Sequence, residues 1–400
     1  MLKQNPKSSS FCILPFIHIS AAVSGHFRPC CNTTGKGSHF LFKDIDVSLK
    51  EAFYSKEMDE LRTQLNTDER PTICNVCWKN EDIGIVSPRA KNNLKFKDKI
   101  NTTTDAKLQF LDMKFDNKCN LQCRMCSPFS SDQIWKTIEL FDEIPNHLSY
   151  VDMDKETYDK NNNSEARKRY VQESMQDITF LKVTGGEPFL SKDFIEILEE
   201  AVSEGHSKRI TLSITTNGTK FTSKITNMFK HFKEVDINIS IEGINELYDY
   251  IRYPYSYNRW KDRFITFIDN MKQLDHPKFK LRFSTIVTAY NYLSLTDLQK
   301  EIDIIKGNYK NMDITNSYEF DLKPEFSEMH AKYLPAHILT EGCRKVTGGP
   351  LAKIFKFAAY HSTNDTKREE LVKTTLAFDK ARNQSYSHSV HPLLTEWLNG

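Results

Sequence analysis

The amino-acid sequence predicts an α/β protein whose central part is a partial (β/α)6, TIM-like barrel. Two observations predict it. From about residue 106, short apolar segments of the strand type alternate with amphipathic helical segments, a pattern typical of parallel sheets and barrels. Polar and glycine-containing turns follow these strands, at the end of a barrel where active sites gather. A small α+β segment is expected before the barrel and a helical tail after it.

Six strands and five helices make up the predicted barrel, which spans residues 106–325. The strands are Leu108–Phe115, Ile178–Val183, Ile210–Thr215, Val235–Ile241, Leu281–Thr288 and Tyr318–Leu322. The helices are Asp132–Phe141, Lys192–Ser203, Ser223–His231, Trp260–Leu274 and Leu295–Ile305. The polar segment 143–175 is interpreted as an excursion of the first helix. The tail, residues 326–400, contains a predicted helix near 367–382.

The N-terminal part, residues 1–100, is predicted to form its own small domain. Residues 11–19 indicate a strand, Ser24-Gly25 a turn, and residues 26–29 a second strand. This hairpin would bring Cys12 close to Cys30 or Cys31. A helix is expected over 49–64, with Ala52, Phe53, Met58 and Leu61 on its apolar face. The basic segment 81–105 is interpreted as a linker or solvated helix, with a substrate-attracting patch as the alternative.

Composition excludes several classes of protein. The chain has 55 basic and 53 acidic residues and a formal net charge of +2, which makes no strong case for a nucleic-acid-binding protein. Its nine cysteines are clustered unevenly, unlike a secreted disulfide framework. No apolar run reaches the roughly 18 residues that cross a bilayer, and the first residues lack the signal-peptide pattern. We therefore expect a cytoplasmic protein that is not associated with a membrane.

Three cysteines follow the first barrel strand directly, as Cys119-x3-Cys123-x2-Cys126. Three thiolates on one short loop can hold three irons of a cubane cluster and leave the fourth iron open to a small chelating ligand. The alternatives are a zinc site that lacks a ligand and a set of buried structural thiols. The x3 and x2 spacing does not suit the paired two-residue knuckles that are common in zinc sites.

Further polar turns follow the next strands. Gly185-Gly186-Glu187-Pro188 offers exposed backbone N–H groups and a carboxylate, although by itself it indicates only a turn. Thr216-Asn217-Gly218 is also weak in isolation. After the fourth strand, Ser240 and Arg252 supply a hydroxyl and a guanidinium suited to a ligand carboxylate. The alternative for Arg252 is a surface ion pair.

A second cysteine set lies in the N-terminal part. Cys74-Asn75-Val76-Cys77 is a two-residue-spaced knuckle of the kind that metals favour. With Cys12 and either Cys30 or Cys31 it offers four thiolates. Four thiolates are enough for a tetrahedral zinc ion or for a complete iron–sulfur cluster, and the residues alone leave both open.

Taken in this order, the turns from Cys119 to Arg252 resemble those of the radical S-adenosylmethionine (SAM) superfamily. The resemblance implies a barrel of the radical SAM type in which Cys119, Cys123 and Cys126 hold a [4Fe-4S] cluster. SAM would chelate the open iron and be cleaved reductively to a 5′-deoxyadenosyl radical that abstracts hydrogen from a substrate. The SAM-binding residues implied by the resemblance are Met125, Gly185, Gly186, Glu187, Pro188, Thr216, Asn217, Ser240 and Arg252. Within this set, Met125 would contact the adenine, Gly185 to Glu187 the amino group, and Ser240 and Arg252 the carboxylate.

The N-terminal cysteines resemble those of the twitch domain, a shortened relative of the SPASM auxiliary-cluster domain. This resemblance implies a second [4Fe-4S] cluster bound by Cys12, Cys30, Cys74 and Cys77. Agreement extends to a motif after the knuckle, Trp78-x2-Glu81-x2-Gly84-x2-Ser87-x-Arg89, and to a C-terminal pattern, Leu322-x-Pro324, Leu334-Pro335 and Asp379-x2-Arg382. The adjacent pair Cys30 and Cys31 leaves the fourth ligand open.

The resemblance also implies partners. A peptide side chain or a small metabolite would be the substrate, and a flavodoxin or ferredoxin the reductant. The rival interpretation is a non-catalytic iron–sulfur or zinc protein that uses the barrel as a ligand-binding module. SAM cleavage is the property that separates the two.

Overall fold

One sheet runs through the computed structural model of the protein. The structure describes residues 8–23, 26–33, 48–82, 84, 86–100, 105–145, 148, 163–319, 328–363 and 366–400. Within these residues eight strands are hydrogen-bonded in the order β2-β1-β3-β4-β5-β6-β7-β8. The strands are β1 His18–Ala21, β2 Phe27–Arg28, β3 Phe110–Lys114, β4 Phe180–Thr184, β5 Thr211–Thr216, β6 Glu234–Ser240, β7 Phe279–Ile286 and β8 Asp313–Glu319.

Helices connect these strands and form the C-terminal part. Before β3 lie α1 Leu14–Ile17, α2 Leu49–Phe53, α3 Lys56–Asn66, α4 Asn75–Asp82, α5 Pro88–Lys95 and α6 Lys97–Ile100. Between β3 and β8 lie α7 Gln133–Ile138, α8 Ser164–Ser174, α9 Lys192–Ser203, α10 Ser223–Phe229, α11 Asn245–Ile251, α12 Tyr257–Leu274 and α13 Leu295–Asn308. After β8 come α14 Ala336–Lys345, α15 Gly349–Tyr360, α16 Arg368–Arg382 and α17 Pro392–Asn399.

The strands from β3 to β8 are all parallel, as predicted for the barrel. Along β5 and β6 every second residue is fully buried, and these apolar side chains belong to the core under the helices. The residues between them, such as Ser213 and Asp236, are polar, half-buried and paired in register. The sheet therefore has one apolar face against helices and one polar face, consistent with a partial barrel with a polar interior.

The N-terminal hairpin belongs to the same sheet. β1 pairs antiparallel with β2 through Ser20 and Arg28, which confirms the predicted hairpin, and it also pairs in parallel with β3. The predicted strand over 11–19 is wrong at its start, because Leu14–Ile17 is a helical turn with Pro15 in its first turn. Proline has no N–H to donate to a sheet ladder but is well tolerated where a helix begins. The predicted turn at Ser24-Gly25 lies outside the described residues.

Two further expectations differ from the structure. The helix predicted over 49–64 is two helices, because Ser55 begins α3 by accepting a hydrogen bond from the Met58 N–H. The four apolar residues predicted for its buried face are nonetheless all in the core. The last strand begins at Asp313 instead of Tyr318, and residues 320–327, with the predicted Leu322-x-Pro324 pattern, lie outside the described residues. β8 is polar and half-exposed, so it carries no apolar alternation that would reveal it.

The remaining elements agree closely with prediction. α9 has the predicted bounds, and α10, α12 and α13 differ from them by up to three residues at an end. The described part of the polar segment 143–175 contains α8. In the basic segment, α5 and α6 agree with the solvated helix, one of the two predicted structures, and α5 has no buried residue. Among the described residues, no helix combines the length and the apolar character needed to cross a membrane.

Candidate functional site

The three cysteines of the 119–126 loop lie just beyond the C-terminal end of β3. The loop closes on itself, since the Cys126 N–H donates to the Cys123 carbonyl at 3.0 Å and the Leu121 N–H approaches the Cys119 sulfur at 3.4 Å. The segment before α7 anchors it: Asp132 accepts the Cys119 N–H at 3.0 Å, and the Ser131 hydroxyl donates to the Leu121 carbonyl at 2.6 Å. Backbone hydrogen bonds thus fix the positions of the thiols before any metal is bound.

The thiols are largely removed from water. Burial raises the pKa of Cys119 to about 12, and the neighbouring Cys123 adds to this shift. The pKa of Cys126 is raised by its hydrogen bond with Cys123 and by burial. The same hydrogen bond lowers the pKa of Cys123. Binding of a metal to the protonated Cys119 and Cys126 would release their protons.

The arrangement fits an iron–sulfur cluster better than a single ion. Among the described residues, no three His, Cys, Asp or Glu side chains are placed to hold one metal ion. In a cubane each cysteine binds a different iron, so the sulfurs need not converge on one point. A zinc site, the alternative left open by the sequence, needs ligands that do converge. The soft all-thiolate donor set of this loop suits iron–sulfur chemistry.

The Gly185-Gly186 turn after β4 packs directly on the backbone that leads into the cysteine loop. The Gly186 and Glu187 N–H groups donate to the Asp116 and Lys118 carbonyls at 3.1 and 2.7 Å. A Cβ on Gly186 would lie 2.1 Å from the Lys118 oxygen, and Gly185, at φ +133°, would place one 2.7 Å from the Asp116 oxygen. Both glycines are therefore required by this backbone contact, whatever ligand the turn binds.

Glu187 joins the turn after β4 to the turn after β5. It is fully buried, and its carboxylate accepts the Thr216 hydroxyl and the Asn217 N–H, both at 2.7 Å. Burial raises the pKa of Glu187 to about 7, and these hydrogen bonds oppose the shift. The following Pro188 begins a 3-10 turn over Pro188–Leu190. The structure thus brings together three of the turns that the sequence singled out.

Asn217 connects the third of these turns back to the cysteines. The side-chain nitrogen Nδ2 of Asn217 lies 3.7 Å from the Cys119 sulfur and 3.1 Å from the Asn120 side-chain oxygen. Gly218 has a φ of +77° and a Cβ there would lie 2.8 Å from the Trp260 indole nitrogen, which donates to the Asn217 carbonyl at 3.1 Å. The Thr216-Asn217-Gly218 turn is therefore held between the cysteine loop and α12.

Arg252 lies beside the cysteine loop and is nearly fully buried. Its Nε donates to the buried Glu242 carboxylate, and its Nη1 lies 3.9 Å from the Cys123 sulfur. Arg252 does form an ion pair, but the pair is buried and not at the surface as the alternative predicted. Ser240 is the half-buried last residue of β6, and Met125 is buried within the loop. Their contacts to a ligand stay predictions.

The N-terminal cysteines approach one another from three segments. Cys12, which precedes α1, lies close enough to Cys74 and Cys77 for their charges to raise its pKa, although burial is the larger cause. Cys30 follows β2, and its pKa is raised by a hydrogen bond with Cys31, by burial and by the neighbouring charge of Cys12. All four predicted ligands therefore belong to one region, and each has a free thiol.

The motif after Cys77 fixes this region. Glu81 accepts Arg89 Nη2 at 2.7 Å and Nε at 3.0 Å, and it also binds the Ser87 hydroxyl. Arg89 lies over the Trp78 ring, 5.0 Å from its centroid, and donates to the Phe11 carbonyl at 2.6 Å. This network connects the knuckle to the residue that precedes Cys12.

Sequence reasoning missed a charged group on the polar face of the sheet. Lys182 of β4 forms an ion pair with buried Asp112 of β3 at 2.8 Å, and its Nζ lies 3.9 Å from the Cys31 sulfur. His18 of β1 is also buried there, and its Nδ1 donates to the Pro29 carbonyl at 2.9 Å. Burial lowers the pKa of His18 to about 4. The available signal was a charged residue in the middle of each of two predicted strands.

Comparison with known proteins finds a similarity for the central part of this chain. Residues 113–306, just under half of the chain, match the family model described as the Radical SAM superfamily. A search of curated proteins finds no match.

Similar solved structures include SuiB of Streptococcus suis, at 14% identity and a TM-score of 0.36, with 66% of this chain and 55% of that chain covered. Native anSMEcpe with bound AdoMet has 16% identity and a TM-score of 0.36, and the match covers 67% of this chain and 66% of that chain. SuiB bound to the precursor peptide SuiA has 13% identity and a TM-score of 0.31, and the match covers 68% of this chain and 72% of that chain. This chain therefore matches about half of the SuiB chain in the first of these structures.

Proposed function

We propose that the protein is a radical SAM enzyme that cleaves S-adenosylmethionine reductively at a [4Fe-4S] cluster held by Cys119, Cys123 and Cys126. The bound cluster and SAM would supply a 5′-deoxyadenosyl radical for hydrogen abstraction. One observation carries the proposal. The turns after β3, β4 and β5 contact one another at the C-terminal ends of parallel strands, inside the segment that matches the radical SAM family.

The surrounding residues have defined parts in this proposal. Asp132 and Ser131 hold the backbone of the loop and thereby fix where its thiols lie. Arg252 stands beside Cys123 with its charge shared by Glu242, which leaves it able to approach a second carboxylate, that of SAM, together with Ser240. Met125 is assigned to the adenine by resemblance.

The turn residues Gly185, Gly186 and Glu187 are assigned to the SAM amino group by resemblance, and Pro188 completes the turn. Glu187 already accepts hydrogen bonds from Thr216 and Asn217, which orient its carboxylate. A carboxylate oxygen can accept more than one hydrogen bond, so an ammonium donor can be added to the same oxygens. Because burial raises its pKa to about 7, a neighbouring ammonium would favour its ionised form.

A second cluster at Cys12, Cys30, Cys74 and Cys77 completes the proposal. The proximity of Cys12 to Cys74, Cys77 and Cys30 supports it. The charge of Cys12 acts on Cys30, which supports Cys30 as the fourth ligand. A flavodoxin or ferredoxin in the cytoplasm is the proposed reductant.

The polar inner face of the sheet supports a polar substrate. Asp112 and Lys182 form an ion pair on this face, and Lys182 Nζ approaches the Cys31 sulfur. Buried charges there can orient polar groups of a peptide or a small metabolite. SuiB has been crystallised with its precursor peptide SuiA, so a peptide is the first substrate class to test with this protein.

The test is SAM cleavage by the anaerobically reconstituted protein. After reduction with dithionite, the protein should convert SAM to 5′-deoxyadenosine, and a Cys343→Ala control should do so equally. The rival function, a non-catalytic iron–sulfur or zinc protein, predicts bound metal with no 5′-deoxyadenosine. That result would reject the proposal.

A further inference from the structure

The backbone of the cysteine loop is hydrogen-bonded to the segment that carries Arg252. The Gln122 N–H donates to the Tyr253 carbonyl at 2.7 Å, and the Arg124 N–H donates to the Ile251 carbonyl at 3.0 Å. These two acceptors are the residues on either side of Arg252. The loop and the segment run side by side, like two strands of a short antiparallel pair. The position of Arg252 relative to the loop therefore depends on this backbone contact.

The side chain of Arg124 binds the C-terminal end of α11, the helix that leads into Arg252. It is completely buried, and its Nε donates to the Tyr250 carbonyl at 3.0 Å. Its Nη2 donates to Gln384 Oε1 at 3.1 Å, and Gln384 Nε2 donates to the Asp249 carbonyl at 3.3 Å. The last carbonyls of a helix have no partner within the helix. Arg124 and Gln384 supply donors to two of these carbonyls, so they fix where α11 ends.

Asp379 of α16 holds the Arg124 side chain in this position. One carboxylate oxygen of Asp379 accepts Arg124 Nη2, and the other accepts the Tyr386 N–H at 2.8 Å. The side chain of Arg124 is 0% exposed and that of Asp379 is 9% exposed. Because both charges are buried, removal of either one leaves the other without compensation, which strongly destabilises the arrangement.

α16 contacts the loop at a second point. Arg382, three residues after Asp379, donates from its Nη2 to the Gln122 carbonyl. Gln122 and Arg124 are the two loop residues whose N–H groups pair with the segment around Arg252. The C-terminal extension thus supports this backbone contact at both of its donor residues.

We infer that Asp379 is a positioning residue, which fixes Arg252 relative to the three cysteines by holding Arg124. The inference rests on the proposed function, in which Arg252 binds the carboxylate of a SAM molecule that also chelates the iron held by this loop. A ligand held at two points binds weakly when the distance between those points changes, and a displacement of about 1 Å is enough to be costly. Asp379 lies outside residues 113–306, so a residue of the C-terminal extension would set the affinity for SAM.

The first measurement needs no cluster and compares amide hydrogen exchange in apo Asp379→Asn and the apo wild type. Asparagine keeps the size of the side chain but removes the charge that holds Arg124. The N–H groups of Gln122 and Arg124 should therefore exchange about 10-fold faster in the variant. Lys380→Gln is the matched control, because Lys380 is the next residue of α16 and forms an exposed pair with Asp142 at 2.6 Å. Its exchange at the loop should equal that of the wild type, and equal exchange in Asp379→Asn would overturn the inference.

The second measurement is the affinity of the reconstituted proteins for SAM. The EPR signal of the reduced cluster changes when SAM binds, and its titration gives the dissociation constant. This constant should rise about 10-fold in Asp379→Asn, while the iron content stays unchanged. Leu371→Ala is the control for stability, because Leu371 is 1% exposed and lies about 12 Å earlier along the same helix. It should lower the melting temperature and leave the dissociation constant unchanged.

Three results of this titration would also overturn the inference. Wild-type affinity for SAM in Asp379→Asn would show that Asp379 only stabilises the fold. Equal weakening of SAM binding in Leu371→Ala would show that general destabilisation is the cause. Loss of iron from Asp379→Asn alone would assign Asp379 to cluster binding and not to SAM binding. A wild type with no SAM-dependent signal would instead reject the proposed function, whatever the exchange result, and the inference with it.

Discussion

The two cysteine regions of this protein are held by different means. The 119–126 loop is fixed by hydrogen bonds within its own backbone and from Asp132, and the Gly185-Gly186 turn holds the backbone that leads into it. The N-terminal cysteines come from three separate segments, and the Glu81–Arg89 pair joins two of them. One site is therefore built by local structure with tertiary support, whereas the other depends on how distant segments pack. Mutations that disturb packing should therefore affect the two cysteine regions differently, so that each region can be tested separately.

The largest effect is expected at the junction of the cysteine loop with α16. Arg124→Met removes one partner of a buried ion pair and leaves the Asp379 carboxylate buried, which should cost about 3–5 kcal/mol of unfolding free energy. Lys380→Met is the control on the same helix. It removes an exposed pair with Asp142 and should cost about 0–1 kcal/mol. Urea unfolding of the apo proteins measures both, and equal losses would show that burial of the Arg124 pair is unimportant.

Gly186→Ala tests the contact of the two turns. The new Cβ would lie 2.1 Å from the Lys118 carbonyl oxygen, so a backbone must move, at a cost of about 3 kcal/mol. The N-terminal region should be unaffected and still take up its share of iron. Gly307→Ala, in α13 with no atom near the new Cβ, should instead stabilise the protein by about 0.5–1 kcal/mol. Thermal melting together with iron analysis checks both variants, and normal stability in Gly186→Ala would refute the contact.

Glu187 gives this region a dependence on pH. Its pKa of about 7 exceeds the ordinary value of 4.5, so between these values the folded apo protein binds more protons than the unfolded chain. Glu187 therefore lowers stability as the pH rises from about 4.5 to 7, by on the order of 2 kcal/mol. Glu187→Gln should flatten this decline. Parallel stability curves for the two proteins across this pH range would contradict the assignment.

The smallest effect on the apo fold is expected in the N-terminal region. Cys74 is half-buried and Cys77 is buried, and each replacement by Ala removes a single sulfur atom, so the double variant should cost the apo protein about 1–2 kcal/mol. Iron content should nonetheless fall from about eight to about four per chain, because one of two four-iron clusters is lost. Metal analysis of reconstituted protein decides this, and zinc in place of iron would exclude the second cluster.

The sequence predicted the barrel better than the segments around it. Strands β4 to β7 are central and apolar on one face, so alternation located them within about two residues. The polar strand β8 lacks that signal. Residues 11–17 are equally apolar on all sides, and Pro15 turns them into a helix start.

The candidate site likewise contains residues that the sequence identified and pairings that it could not indicate. Cys119, Gly186 and Asn217 were identified from spacing and turn chemistry, which are local properties of the chain. The pairing of Arg124 with Asp379 joins residues 255 positions apart, and nothing local indicates it. The pairing of Lys182 with Asp112 depends on strand register, which the sequence alone does not determine.

The most direct test of the difference between the two regions is SAM cleavage by two sets of cysteine variants. Replacing Cys119, Cys123 and Cys126 by Ala should abolish formation of 5′-deoxyadenosine under dithionite reduction while the N-terminal iron remains. Replacing Cys74 and Cys77 should leave uncoupled cleavage of SAM measurable. Unchanged 5′-deoxyadenosine in the triple variant, or its complete loss in the double variant alone, would contradict the assignment of SAM chemistry to the 119–126 loop.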